Sequence, residues 1–290
     1  MSQLSEKLFR AIDRAMQGRE FKDEAEYKAF LDSFVGVNID ELAASQELSP
    51  ADQAMELVDA AREASTQSEA LDCLRKAVAL DPGCCSAQVG LAHIESKGPR
   101  ELLHRLDAII AAEAARLGPD LFKEEKGRFW GVHGTRPYMM ACNDRAWLLL
   151  ETGDLAGAQK AFRLMIQLNR HDNQGVRMVL GPLCLQQGDL KAYRALRNKF
   201  KKVGNLELLW GDVLEALLLG ESERAQKARV LAREENGFME AYLLGHRKLP
   251  KHMPTSYTWG STEQAVCAAL HLIPAWSAHP TALAWLKARR

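Results

Sequence analysis

The sequence predicts an all-α chain of stacked helical hairpins, on three observations. A helix-pair unit recurs: Gly153-Asp154-Leu155 with Ala158 returns as Gly188-Asp189-Leu190 with Ala192, 35 and 34 residues on. Apolar residues, at 47% of the chain, suffice for a continuous core. Breaks at Pro82-Gly83, Gly98-Pro99, Gly118-Pro119, Gly220 and Pro250 cut the rest into helix-length segments.

The interval of 34 or 35 residues is the period of a tetratricopeptide-type helix–turn–helix. Ala158 and Phe162 stand in that repeat's A-x3-F relation, small Ala letting two helices approach and Phe filling the gap beside it; Leu196 takes Phe162's place in the second unit. At 290 residues the length allows two ordinary domains or one extended solenoid, and the repeat decides for the solenoid. The predicted fold is a right-handed, tetratricopeptide-like superhelix with N- and C-terminal capping helices. Residues 1–48 form an extension and 49–290 the repeat domain, its C-terminal cap starting near 238.

Residues 1–17 put Leu4, Leu8, Ile12 and Ala15/Met16 on one stripe, an amphipathic helix. A short helix follows with Tyr27, Phe30, Leu31 and Phe34, ending near Gly36; residues around Asp40 to Ala44 are briefly helical or irregular. The extension either caps the first hairpin or forms an arm for another subunit, and the need of terminal repeats for a cover favours the cap. Ser49-Pro50-Ala51-Asp52 starts a helix to about Ala64, whose partner runs from about Ser68 to Leu80 with Ala70, Leu74 and Ala77. Helices from Cys85 to Ser96 and from Arg100 to Leu117 make a divergent pair. Residues 119–138 then break the pattern with Gly127, Gly131 and Gly134, among which Phe129, Trp130 and Tyr138 either pin a loop or belong to a binding loop with His133 and Arg136. After the two central hairpins come helices over 206–219 and 222–235 and a short one over 238–249. A capping-box start at Ser261 leads a helix that Pro274 stops, and a last helix spans 280–288.

Lys+Arg equals Asp+Glu at 38 each, so no global field draws the chain to nucleic acid or anionic membrane. Charged Glu6, Lys7, Arg10, Asp13 and Arg14 exclude a secretory signal, and no apolar run is long enough to span a bilayer. Six cysteines without a C-x-x-C pair point to reduced thiols in a cytoplasmic protein.

Thr135-Arg136-Pro137-Tyr138-Met139, Asp172-Asn173-Gln174-Gly175 with Arg177, Ala241-Tyr242-Leu243-Leu244-Gly245 through Lys248-Leu249-Pro250, and Gly260, Glu263, Ala265 and Pro274-Ala275-Trp276 follow in order. Over roughly 120–286 the chain thereby resembles the suppressor of tumorigenicity seven family. The resemblance implies a repeat-containing protein with no catalytic residues to carry over. Gly134 departs from the acidic residue expected there in bacterial relatives, and residues 1–118 lie outside the match.

The eight histidines form no H-E-x-x-H and no zinc spacing with cysteines, and no G-x-S-x-G, P-loop or dinucleotide fingerprint occurs. No catalytic residue, metal or cofactor is therefore expected. The expected function is a non-catalytic scaffold or adaptor gripping a protein or peptide segment in the concave groove. Counting from Met139 and Asn173, first helices place Asn143 and Arg177 at equivalent inner-face sites, flanked by Met140, Trp147 and Gln174, with Arg136 and Tyr138 at the mouth; the arginines favour a partner carrying carboxylates. Equally open, Asn143 bridges helices and Arg177 pairs with a nearby carboxylate. The alternative function is nucleic-acid binding through Arg194, Arg197, Lys199, Lys201 and Lys202, although cations at a helix C-terminus are already favoured by its dipole.

Overall fold

A computed structural model describes residues 3–16, 18–37, 48–201 and 204–288. Among the described residues the chain forms fifteen helices and no β-strand. The stretch around Asp40 to Ala44, expected to be briefly helical or irregular, lies outside them. The chain divides into two compact units, residues 1–145 and 146–290.

The first unit holds α1 (Gln3–Met16), α2 (Glu24–Asp32), α3 (Pro50–Glu63), α4 (Gln67–Leu80), α5 (Cys85–Glu95), α6 (Pro99–Glu124) and the start of α7 (Arg136–Glu151). Both α3 and α4 open with reciprocal capping boxes, Ser49 with Asp52 and Thr66 with Glu69, which satisfy N–H groups that a helix start leaves orphaned. Each helix packs on the next from α3 to α6, and α3 also touches α5. Ala54, Val58, Leu74, Ala77, Cys84 and Ala87 form the buried centre of the first hairpin and its neighbour. Gly90 lets α5 close on α4, since a Cβ there would stand 2.9 Å from Leu74.

Helix α6 is two helices meeting at Gly118, whose φ of 77° breaks the ladder. The expected loop from 119 is therefore shorter: Pro119 opens a further helical stretch, where its missing N–H costs nothing, and α7 already begins at Arg136. A 3-10 turn at His133–Thr135 leads into α7.

The second unit contains α8 (Leu155–Leu168), α9 (Arg177–Gln186), α10 (Leu190–Lys199), α11 (Leu206–Leu218), α12 (Ser222–Glu235), α13 (Met239–Leu243), α14 (Thr262–Ser277) and α15 (Pro280–Lys287). One turn is built three times. Gly153, Gly188 and Gly220 take φ of 85°, 71° and 76°, the left-handed conformation glycine reaches without strain. The following N–H groups, of Asp154, Asp189 and Glu221, reach back to the carbonyls of Leu149, Cys184 and Ala216 at 2.9, 2.8 and 2.9 Å, the Schellman closure. Asp154 and Asp189 then cap the next helix by accepting from Gly157 N–H and Ala192 N–H, each at 2.9 Å. Gln159 of α8 ties that helix to the second of these turns, its amide donating to Asp189 at 2.7 Å.

Helix α14 is the hub of the second unit, packing on α9, α11, α13 and α15. It runs through Pro274 to Ser277, past the expected stop. Proline forfeits one ladder bond, but Ala275 and Trp276 beyond it are fully buried, and their burial holds the helix on. Trp276 meets Trp210 of α11 edge to face at 6.0 Å. The helix expected over 238–249 is only α13, ended by left-handed Gly245.

Candidate interaction site

The seven residues expected along one groove are split between the units: Arg136, Tyr138, Met140 and Asn143 in the first, Trp147, Gln174 and Arg177 in the second.

In the second unit the expected open face is covered. Helix α14 lies on α9 and α11, the helices that would line the groove, and buries Ala265, Val266, Ala268, Ala269, Leu272, Ala275 and Trp276, while Glu263 and Leu270 stay exposed. Half-buried Trp147 stands edge-on to Phe162 at 5.6 Å and against His271 of α14 at 5.7 Å. Burial lowers His271 to about 4, so the ring is neutral at neutral pH. Arg177 binds Asp172 at 2.9 Å and lies over the Phe200 ring, which is the carboxylate-pairing alternative. It is also the first residue of α9, whereas Asn143 sits well inside α7, so the two are not equivalent positions. The register shifted because Asp172 and Gly175, both at positive φ, hold the chain in turns before the helix can start. Gln174 is half-buried in those turns.

The basic cluster is largely spent inside the fold. Arg194 pairs with Glu215 at 2.6 Å, Arg197 with Asp212 at 2.9 Å, and Lys199 donates to the Ile166 carbonyl at 2.8 Å. Lys201 is exposed, and Lys202 lies outside the described residues.

The first unit keeps a site open. A cavity of about 770 Å³ lies among α1, α3, the α4–α5 turn, α6 and the segment leading into α7. Arg136 and Met140 both line it. Met140 is exposed on its wall. Arg136 is buried, donating Nε–H to the Trp130 carbonyl at 2.9 Å and lying over the rings of Phe9 and Trp130 at 5.1 and 5.6 Å. Asn143 is half-buried one turn beyond Met140. Tyr138 is not available to a partner: it is buried against Phe122 and Phe129, and burial pushes its hydroxyl well above the usual phenol range. Thr135 fastens this aromatic segment by donating to the Phe129 carbonyl.

The remaining walls escaped sequence reasoning. Helix α1 contributes Arg10, Asp13 and Arg14, α3 contributes Asp52 and Met55, and α6 contributes Glu113 and Arg116. Charges of both signs surround an apolar floor of Met55, Trp130 and Met140, a lining suited to an amphipathic segment. Glu113 is buried and held in a two-bond grip by Arg116, at 2.7 and 2.5 Å. Cys85 also faces the cavity, and burial raises its thiol to about 12, leaving it protonated and unreactive.

Helix α1 itself is attached by charge. Lys7 meets Glu63 at 3.7 Å, Arg10 meets Glu56 at 3.7 Å and also Asp59, and Arg14 meets Asp52 at 3.0 Å. Low numbers on α1 thus pair with high numbers on α3, an antiparallel ladder. Burial pushes the Asp52 carboxyl up, but hydrogen bonds from Ser49 and Arg14 outweigh it and leave it below the ordinary range. Asp13 closes the other side by meeting His133 at 2.8 Å. A signal existed in the sequence: cations at 7, 10 and 14 match acids at 52, 56, 59 and 63, both at one-face helical spacing.

Among the described residues no three His, Cys, Asp or Glu side chains converge to hold a metal ion, and no helix is long and apolar enough to cross a membrane. In comparison with known proteins, no family model and no curated protein matches the chain.

Proposed function

We propose that the protein is a non-catalytic interaction scaffold, a tetratricopeptide-like right-handed solenoid of helical hairpins that grips a segment of a partner protein. The observation that carries this reading is the cavity of about 770 Å³ in the first unit, walled by successive helices and lined with both ion-paired and apolar side chains. Such a lining suits a segment with one charged and one apolar face. The motif resemblance to the suppressor of tumorigenicity seven family agrees with a repeat protein without catalytic residues. A cytoplasmic location fits six free cysteines, of which Cys85 and Cys184 are raised to about 12 and Cys142 to about 11 by burial.

A photo-cross-linking residue at Met140 tests the reading, with one at exposed Leu231 on α12 as control. A discrete protein captured from the cell by position 140 and not by 231 is the expected result. Identical products at both positions, or none at 140, would overturn it. Nucleic-acid binding through 194–202 is disfavoured by the pairing of Arg194 and Arg197 within the fold. A nucleic-acid adduct at Lys201 with none at Met140 would reverse the order of the two readings.

A further inference from the structure

We infer that the acidic ladder of α3 is a docking track for a basic amphipathic helix, and that α1 is its resident occupant, displaced when a partner's helix of the same pattern binds. The inference rests on the scaffold reading and names the partner's chemistry: a helix with Lys or Arg at i, i+3 and i+7 and apolar residues between.

The surface is specified by complementary spacing. Asp52, Glu56, Asp59 and Glu63 recur along one face of α3, and each meets a cation of α1 at Lys7, Arg10 or Arg14. Residues three, four and seven apart share a helical face, so two such rows run alongside each other only when both helices keep that period. Asp59 is deeply buried, and Arg62 also meets it at 3.0 Å, so the track holds a fixed negative centre between flanking acids.

The grip of α1 is real but incomplete. Of its described side chains only Ala11 is fully buried; Leu8, Ile12 and Met16 are half-buried and Phe9 is 40% exposed, so the described apolar face is only partly covered and the ion pairs carry much of the attachment. The Lys7–Glu63 pair is open to solvent at its acidic end, which salt screens. Arg10 is nine-tenths buried on the cavity wall, yet its Nε–H has no hydrogen-bond partner among the described residues. A desolvated donor left unsatisfied weakens the resident helix, and a helix that meets that donor's neighbourhood better can replace it. Because α1 forms one wall of the cavity, its departure also widens the site that Met140 and Arg136 line.

The test uses the 290-residue chain and a labelled synthetic peptide of residues 1–17, read by fluorescence anisotropy. In Arg10→Glu/Arg14→Glu protein, where α1 is disarmed, the peptide is expected to bind at least about tenfold more tightly than to wild type, since the tethered helix no longer competes at high effective concentration. Affinity should fall severalfold between about 50 and 300 mM salt. Substitution at buried Asp59 risks the fold, so the track is tested at the more exposed Glu56 and Glu63. Glu56→Lys/Glu63→Lys protein should lose the peptide and gain a peptide with Glu at positions 7, 10 and 14. Equal binding to wild type and disarmed protein, no binding to the disarmed protein while its helical circular dichroism is unchanged, or indifference to the charge swap would overturn the inference. A Met140 cross-link to a partner segment lacking the basic pattern would overturn it too, while leaving the scaffold reading intact.

Discussion

Asp172 and Arg177 form a closed unit at the start of α9. The carboxylate of Asp172, a residue at φ 53°, accepts from Val176 N–H at 2.7 Å with one oxygen. Its other oxygen accepts both the N–H and the guanidinium of Arg177, each at 2.9 Å. The Asp172 side chain is 1% exposed, and burial pushes its carboxyl up against the lowering effect of these partners. The ion pair therefore compensates a desolvated charge.

Arg177→Ala should lower stability by about 2–4 kcal/mol, because it strands a buried carboxylate. Urea unfolding monitored by circular dichroism reads the change. An unaltered midpoint, with weakened capture of a partner, would return Arg177 to the binding role that the sequence suggests for it.

Glu207 carries the second prediction. It is buried in the first turn of α11, and burial raises it to about 7, against only partial relief from its own backbone N–H and from Arg177. An acid raised on folding stabilises the fold while protonated, so its contribution is full below its ordinary value of 4.5 and is lost as pH climbs through about 7. His271, lowered to about 4, acts in the opposite sense, its contribution being lost as pH falls below its ordinary 6.5. The difference between wild type and Glu207→Gln isolates the first effect. The two proteins should match near pH 4.5, and by pH 8 the variant should be more stable by up to about 3 kcal/mol, at 1.36 kcal/mol per pKa unit. A difference that does not vary over a pH series of urea midpoints would show that Glu207 ionises as an exposed acid does.

Local chemistry was legible and long-range covering was not. Gly153-Asp154-Leu155 and Gly188-Asp189-Leu190 announced both the left-handed closure and the Asp cap, since these depend on residues within one turn. The third copy, Gly220-Glu221-Ser222, keeps the closure without a side-chain cap, and so matches the motif only in its backbone. The pattern also shows the apolar helix that starts at Ser261, but nothing local says that it folds back onto α9 and α11, which is why the pattern alone puts Trp147 in an open groove. Arg136 and Met140 line the cavity of the first unit, not a groove shared with Arg177, whereas the pairing of Arg14 with Asp52 spans 38 positions and shows only when two helical faces are compared.

Ala158 is fully buried, as is Phe162 one turn on, whose ring meets Trp147 at 5.6 Å. Ala158→Leu adds volume where the packing leaves no space, and the expected cost is about 1–3 kcal/mol. Thermal melts of the variant check it, and an unchanged curve would mean that this face of α8 is loosely packed.

Gly211 sets the closest approach in the second unit. It lies in the middle of α11, where alanine would ordinarily stabilise by about 1 kcal/mol through helix propensity. Here a Cβ would stand 2.6 Å from the Tyr193 hydroxyl and 2.9 Å from Cε2 of the same ring. Tyr193 cannot swing aside: it is 1% exposed, and its hydroxyl lies 2.9 Å from the Leu208 carbonyl and 2.8 Å from the carboxylate of Asp212, which Arg197 also holds. Gly211→Ala should therefore destabilise by about 1–3 kcal/mol, reversing the sign that propensity predicts. Removing the nearest atom by Tyr193→Phe costs a hydrogen bond of about 1 kcal/mol but should relieve part of the clash, so the two substitutions should be less than additive by about 0.5 kcal/mol or more. Strict additivity in a double-mutant cycle would mean that the α10–α11 contact yields elsewhere, and that Gly211 is not what allows these helices to meet.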